Sequence, residues 1–341
     1  MNWKERGLHK ILTWLRITNR PVVKVYRGYG RSGKLLVQGH VLRRSPLSRK
    51  RYRRHALVNM FAVLRLFLVR PYVGAVVRLN WPGQVLEVET DPDGFFQFEW
   101  ASQNSLTPGW HPVAVELVSG PPQSRTVLTS GSSELLVPHP THYACISDID
   151  DTFLVSHAAS VRKKFFVLLT ENAHSRTPFE GVVRHYNLLS RVGTTEQTPN
   201  AFFYVSSSEW NLYDYILDFS VKNELPKGVY KLNHLKLFAQ LWQTGGNNHQ
   251  TKRTRIARIM DTFPEQIFIL LGDDNQEDPS IYAAIVEQFP GRVRCVYLRH
   301  LNAQKRPEAQ KYVDRMEAAG VTCCYFVHSA EAMRHTEAIG L

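Results

Sequence analysis

Cysteine is scarce in this 341-residue sequence: Cys145, Cys295, Cys323 and Cys324 are all there is. They stand inside apolar runs, with no CxxC and no zinc-type spacing. That excludes a disulfide-stapled secreted scaffold and a zinc ribbon, and leaves buried, reduced thiols of a cytoplasmic protein. Long apolar runs are missing too. Nothing reaches the ~18 residues a membrane-spanning helix needs, and the best stretch, Ala56 to Val69, is interrupted by Asn59 and Arg65. Near the N-terminus the apolar positions are broken by Lys10 and Arg16, so no secretory leader is expected. Repeats and low-complexity tracts are absent as well. With 43% hydrophobic residues the chain has the material for a sizeable core.

Acid is nearly absent from the N-terminal part. Residues 1–75 hold 18 of the 42 Lys and Arg but one of the 30 acids, Glu5, which gives +17 there and −5 over the rest. Such asymmetry points to a face that meets a polyanion, either anionic lipid or nucleic acid, or else to a solvated basic surface. The densest cluster is Arg49, Lys50, Arg51, Arg53 and Arg54. Tyr52 is its only aromatic, and base stacking needs more, so nucleic acid ranks below an anionic phospholipid surface.

The length predicts two domains. Residues 1–20 have the apolar spacing of an amphipathic helix, with Trp3, Leu8, Ile11, Leu12 and Leu15 as its apolar positions. From 21 to 140 the text is β: seven short alternating or β-branched runs separated by turn signals, the clearest being Asp91-Pro92-Asp93-Gly94. An all-β, sandwich-like domain is expected there, with a basic helical insertion at about 49–69. From 141 to 341 short apolar strands alternate with helical segments, the grammar of a doubly wound parallel sheet. In such a sheet the site lies beyond the carboxyl ends of the strands.

One motif is a decoy. Gly28-Tyr-Gly-Arg-Ser-Gly33-Lys34 matches a glycine-rich phosphate loop, but Leu35 stands where Ser or Thr is required and a strand follows instead of a helix. A hairpin turn is expected.

The chemistry gathers elsewhere. Ile146-Ser-Asp148-Ile-Asp150-Asp151-Thr152 runs an apolar strand into three carboxylates and a hydroxyl. Carboxylates converging at a strand end repel unless a cation joins them, and hard Mg²⁺ suits such oxygen ligands. A second acidic cluster, Gly272-Asp273-Asp274-Asn-Gln-Glu277-Asp278, also follows an apolar strand. Asp278 precedes Pro279, so it reads equally as a helix N-cap or as a functional acid. Ser206 ends another strand, as a turn serine or a phosphate donor. Lys252 opens a helix, as a surface lysine or a charge that neutralises a nucleophile and a phosphate.

In that order and context, Asp148-Ile-Asp150-Asp-Thr152, Ser206, Lys252 and Gly272-Asp273 with Asp278 resemble the four motifs of the haloacid dehalogenase superfamily. The fuller strings Tyr204-Val-Ser-Ser-Ser-Glu-Trp-Asn-Leu-Tyr213, Phe263-Pro264, Arg176-Thr-Pro-Phe179 and Gly272 through Tyr282 resemble the catalytic domain of the actin-patch type of phosphatidate phosphatase and its bacterial relatives, over about residues 142–335. Ser207 and Glu209 stand where that pattern carries Gly and Pro, and Gln250-Thr251 precede Lys252 where it carries a histidine.

The resemblance implies a haloacid dehalogenase-like fold with a small helical cap at about 153–200. It implies that Asp148 is the covalent nucleophile and Asp150 the acid and base. Asp148, Asp150, Asp273 and Asp278 would hold Mg²⁺. Thr152, Ser206, Lys252 and Arg176 would meet the substrate phosphate. Phosphatidate is the implied substrate, and the implied place is the cytoplasm, peripheral on a membrane. Two other classes stand beside it: a phosphatase of a soluble phosphomonoester, and an inert membrane-binding module.

Overall fold

Two periodicities divide the chain, and two bodies follow. The computed structural model describes residues 17–18, 20–46, 65–149, 179–235 and 248–341. By its contacts the chain falls into one unit of Met1–Val137 with Leu235–Thr244 and another of Pro138–His234 with Gly245–Leu341.

Among the described residues the first unit is a ten-stranded sheet. Its strands are β1 (Ile17–Thr18), β2 (Val22–Val25), β3 (Gly28–Arg31), β4 (Lys34–Pro46), β5 (Arg70–Pro71), β6 (Val76–Trp81), β7 (Gln84–Glu89), β8 (Phe95–Trp100), β9 (Gly109–Ser119) and β10 (Thr126–Val137). All pairings are antiparallel except β3 with β10. The 13-residue β4 pairs with β1, β2, β3, β5 and β8. Alternation sends Val37, Val41, Val77, Leu79, Phe96, Phe98, Val115 and Leu117 into one apolar core. Each such side chain contributes about 1.5–3 kcal/mol on burial. The glycine-rich decoy is the hairpin of β3 and β4, with Arg31 opposite Lys34.

Between β4 and β5 the register shifts: Leu42 lies opposite Pro71 but Arg44 opposite Arg70. This bulge gathers Arg43, Arg44 and Arg70, with the Arg43 guanidinium 4.2 Å from the Tyr72 ring centroid. Among the described residues no acid pairs with any of the three. Residues 1–16 of the expected N-terminal helix, and Arg49, Lys50, Arg51, Arg53 and Arg54, lie outside the described residues.

The second unit is α/β. Its strands are β11 (Tyr143–Asp148), β12 (Ala201–Glu209), β13 (Gly228–Asn233), β14 (Ile267–Asp273), β15 (Val293–Arg299) and β16 (Thr322–Phe326). They form a wholly parallel sheet in the order β13-β12-β11-β14-β15-β16. The chain starts at the centre, winds out to one edge, then returns and winds to the other. The reversal between β11 and β14 is the crevice where sheets of this kind bind ligands. Between the strands run helices α1 (Val182–Leu189), α2 (Tyr213–Lys222), α3 (Asn248–Thr262), α4 (Asp278–Gln288) and α5 (Arg306–Ala318), and α6 (Ser329–Ala338) closes the chain. Near-continuous burial along β11, β12, β13 and β14 fits strands covered on both faces. Of the expected cap, residues 153–178 lie outside the described residues. Helix α1, within the remainder of that stretch, packs on the sheet: its Tyr186 lies against Phe202, 5.7 Å between ring centroids.

Helix α1 also meets α6. Buried His185 shares a 3.0 Å hydrogen bond with Thr336, and its ring stands edge-on to Tyr297 at 4.8 Å. Burial, with the Arg299 and His335 charges adding to it, pulls the His185 pKa down to about 3.

All four cysteines are free. Burial raises every one of their thiol pKa values, so they are poor nucleophiles. No helix among the described residues is long and apolar enough to cross a membrane.

Candidate active site

Three strand ends build the site. Val205 on one side and Gly272 on the other come level with Asp148 at the end of β11, since β12 pairs Val205 with Asp148 and β14 pairs Leu271 with Ser147. Ser206 and Asp273 therefore flank Asp148. All three are fully buried, as is Asp278 at the start of α4.

Asp148, Asp273 and Asp278 each offer a carboxylate oxygen within 4.8 Å of the others. Helix α3 brings Lys252 onto this group: its Nζ donates to Asp148 Oδ1 at 2.7 Å and to Asp278 Oδ1 at 2.5 Å. Burial pulls the lysine pKa down, but the Asp148 and Asp278 charges and hydrogen bonds more than reverse this and hold it above its ordinary value. Lys252 is thus a fixed cation and no surface lysine.

Asp278 leaves the N-cap position to Glu277, and its carboxylate serves Lys252 and, through Oδ2, the Asp273 amide at 3.3 Å. The N-cap alternative is thus not the one Asp278 takes. Gly272 makes room for it. A Cβ there would lie 2.6 Å from Asp278 Oδ2 and 2.8 Å from Tyr282 Cε2. Tyr282, one helical turn past Asp278, donates to the Leu271 carbonyl at 2.7 Å. The Asn275 and Gln276 amides, at 2.7 and 3.2 Å, orient Asp273 through Oδ1.

The neighbouring Asp274 is spent differently. It accepts from the Leu301 and Asn302 amides at 2.7 and 3.1 Å and from the Tyr325 hydroxyl at 2.6 Å, and pairs with His300 at 2.5 Å. It ties the end of β14 to β15 and β16 and takes no part in the carboxylate group.

Behind Asp148 lies a hydroxyl relay that spacing did not reveal. Ser147 donates to the Asp148 carbonyl at 2.7 Å and accepts from Tyr186 at 2.7 Å. Burial holds the Tyr186 hydroxyl protonated, with a raised pKa. The relay fixes the backbone that carries Asp148. Tyr186 lies on a helix outside every motif, and nothing in its local sequence marks it.

Of the expected site residues, the structure brings together Asp148, Asp273, Asp278 and Lys252, with Ser206 at the adjoining strand end. Asp150, Thr152 and Arg176 lie outside the described residues.

A parallel sheet wound both ways from its centre, with a buried carboxylate–lysine centre at its reversal, defines a class: an α/β domain equipped to handle a charged oxygen ligand. The comparisons narrow it. Residues 143–300 match the family model described as "Phosphatidate phosphatase APP1, catalytic domain", which bears out the resemblance carried by the motifs. Phosphatidate phosphatase APP1 of Saccharomyces cerevisiae is 27% identical over 154 residues, 45% of this chain and 25% of that protein. An uncharacterized protein of Schizosaccharomyces pombe is 23% identical over 176 residues, 51% of this chain and 27% of that one. The chain thus spans about a quarter of the length of these curated relatives. A carbohydrate acetylesterase from Xanthomonas citri aligns at a TM-score of 0.28 and 9% identity, over 88% of this chain and 75% of that one, too remote a likeness to bear on either fold or function.

Proposed function

We propose that the second unit is a haloacid dehalogenase-like, Mg²⁺-dependent phosphatase that hydrolyses phosphatidate to diacylglycerol and phosphate, preceded by a sandwich-like β domain over about 21–140. The observation that carries this is the buried group of Asp148, Asp273, Asp278 and Lys252 at the reversal of the sheet, inside the segment that matches the phosphatidate phosphatase family.

The residues fit the metal. The donors are all carboxylate oxygens, the choice of a hard cation. Three buried carboxylates face one ammonium, an excess of negative charge that a divalent cation offsets. Asp148, Asp273 and Asp278 would hold it, and with Asp150 they form the expected ligand set. When bound, Mg²⁺ supplies Lewis-acid neutralisation of the phosphoryl oxygens.

The chain's own residues do the rest. Asp148 attacks phosphorus as its bond to the leaving alkoxide breaks, giving an aspartyl-phosphate. Asp150 gives the alkoxide its proton, then takes one from the water that releases phosphate. Lys252, Ser206 and Thr152 stabilise charge on the transferring group, and Arg176 of the cap grips the substrate phosphate. The Tyr186–Ser147 relay keeps Asp148 in place for the attack.

The anionic membrane is the proposed partner surface and the cytoplasm the proposed place. The arginine bulge of the first unit supports this. Like charges placed opposite each other in a ladder are destabilising, and Arg44 and Arg70 face each other with Arg43 beside them. An anionic headgroup offsets that repulsion.

The test is phosphate release from a panel of phosphatidate and soluble phosphomonoesters, with Mg²⁺ and with EDTA. Turnover of phosphatidate that needs Mg²⁺ and disappears in Asp148→Asn is the expected result. Preference for a soluble ester would replace the substrate assignment, and full turnover in EDTA or in Asp148→Asn would remove the mechanism.

A further inference from the structure

At the end of β12 the ladder opens. Val205 lies opposite Lys231 of β13, yet pairing resumes only with Glu209 opposite Asn233, so four steps on β12 match two on β13. Ser206, Ser207 and Ser208 are looped out between them. A bulge of this kind re-aims side chains beside a site. Inside it the Ser208 amide donates to the Ser206 hydroxyl oxygen at 2.8 Å, which sets the serine's rotamer.

One side chain spans the opening. Arg255 donates from one terminal nitrogen to the Ser206 carbonyl at 3.1 Å and from the other to Asn233 Oδ1 at 2.9 Å. The planar, pre-organised fork of a guanidinium suits two acceptors on neighbouring strands. Arg255 comes from α3, three residues after Lys252, so the two side chains share one face of the helix. That face holds four segments: Asp148 and Asp278 through Lys252, Ser206 and Asn233 through Arg255.

We propose that Arg255 is a positioning residue. It holds the Ser206 bulge in fixed register with Lys252, so that the serine hydroxyl and the lysine ammonium converge on the same phosphoryl group. This rests on the phosphatase reading above. Arg255 itself gives its terminal nitrogens to protein oxygens and acts through Ser206. A clamp that only strengthened the sheet would change stability and leave turnover alone.

A double-mutant cycle on the full chain separates these roles. Wild type, Arg255→Gln, Ser206→Ala and the double variant are compared in kcat and KM on p-nitrophenyl phosphate, in inorganic phosphate affinity by calorimetry, and in thermal midpoint. Misplacing a group by about 1 Å costs up to roughly a hundredfold in rate, so Arg255→Gln should lose about ten- to a hundredfold in kcat. The double variant should be no slower than the slower single, because both changes remove the same positioned hydroxyl. Arg255→Lys should recover little of the loss, and it carries the cycle if the glutamine variant does not fold. Losses that multiply in the double variant, or a lowered midpoint with kcat and phosphate affinity intact, would overturn the assignment. If the wild type turns over no phosphomonoester, the phosphatase reading falls, and the cycle is read from inorganic phosphate affinity: non-additive losses uphold the role of Arg255, and additive ones end it. Absence of phosphate binding by the wild type would end both.

Discussion

Gly272 is needed for what it lacks. Its position is ordinary extended backbone, but a methyl group there would collide with Asp278 Oδ2 and the Tyr282 ring. Gly272→Ala should therefore push Asp278 off Lys252. Overpacking of this sort costs about 1–3 kcal/mol, visible in urea unfolding, and turnover should fall with it; unchanged stability and turnover would show that the pocket yields. His185 gives a prediction in pH. Its folded pKa, about 3, lies below its ordinary 6.5, so the unfolded chain takes up a proton that the native state refuses. Above pH 6.5 the two states match; below it, stability falls by about 1.4 kcal/mol per pH unit until roughly pH 3. Urea unfolding of the wild type and of His185→Gln between pH 7 and 4 should differ in slope by about one proton, and parallel slopes would sink the assignment. Asp148, Ser206 and Asp273 were legible because polar side chains at the ends of apolar strands have few other places to be. Asp274 was not separable from Asp273 in the sequence: one residue of alternation turns it toward His300 and Tyr325. Arg255 and Tyr186 sit on helices, and only the placement of those helices on the sheet reveals them.

Elements were read where the apolar period was strong. The alternating run Phe95 to Trp100 predicts a strand and is β8, and the apolar runs 143–147, 201–205, 266–271, 293–298 and 321–327 predict β11, β12, β14, β15 and β16 to within a few residues. Strand β13 is not legible in the sequence because Lys231 interrupts its apolar run. That lysine is fully within the sheet, its pKa driven well below the ordinary value by burial and by the Arg258 and Arg255 charges. Helix α6 is not legible for another reason: it buries Ser329, Ala332 and Thr336, residues too small or polar to write an apolar stripe. Yet α6 is tied firmly to the sheet. Arg299, at the end of β15, donates to the Val327 carbonyl at 3.1 Å and to Ser329 Oγ at 2.7 Å, between the rings of Phe179 and Phe326. Arg299→Lys keeps the charge and loses the fork, so it should destabilise by about 1–3 kcal/mol. A thermal midpoint equal to the wild type's would mean that α6 is held by its other contacts alone.

At the scale of the molecule, the first 75 residues carry +17 and the rest −5. Each Lys or Arg near an anionic bilayer adds on the order of 1 kcal/mol, screened by salt. Changing Arg49, Lys50, Arg51, Arg53 and Arg54 together to Gln should abolish sedimentation with phosphatidate-containing vesicles and leave hydrolysis of a small soluble phosphate intact. Unchanged sedimentation at physiological salt would take the contact away from this cluster. The winding of the parallel sheet has a consequence of another kind, in time. Strand β11 is the central strand and the first of its sheet to be made, but one of its two neighbours, β14, begins only at Ile267. At 5–20 residues per second the ribosome needs on the order of ten seconds to cover that distance. Throughout, one edge of a largely apolar strand waits without its partner, a template for pairing with another chain. Nascent chains that stall before β14, or fragments cut there, should aggregate, and a cell making this protein has reason to keep a chaperone on it until then.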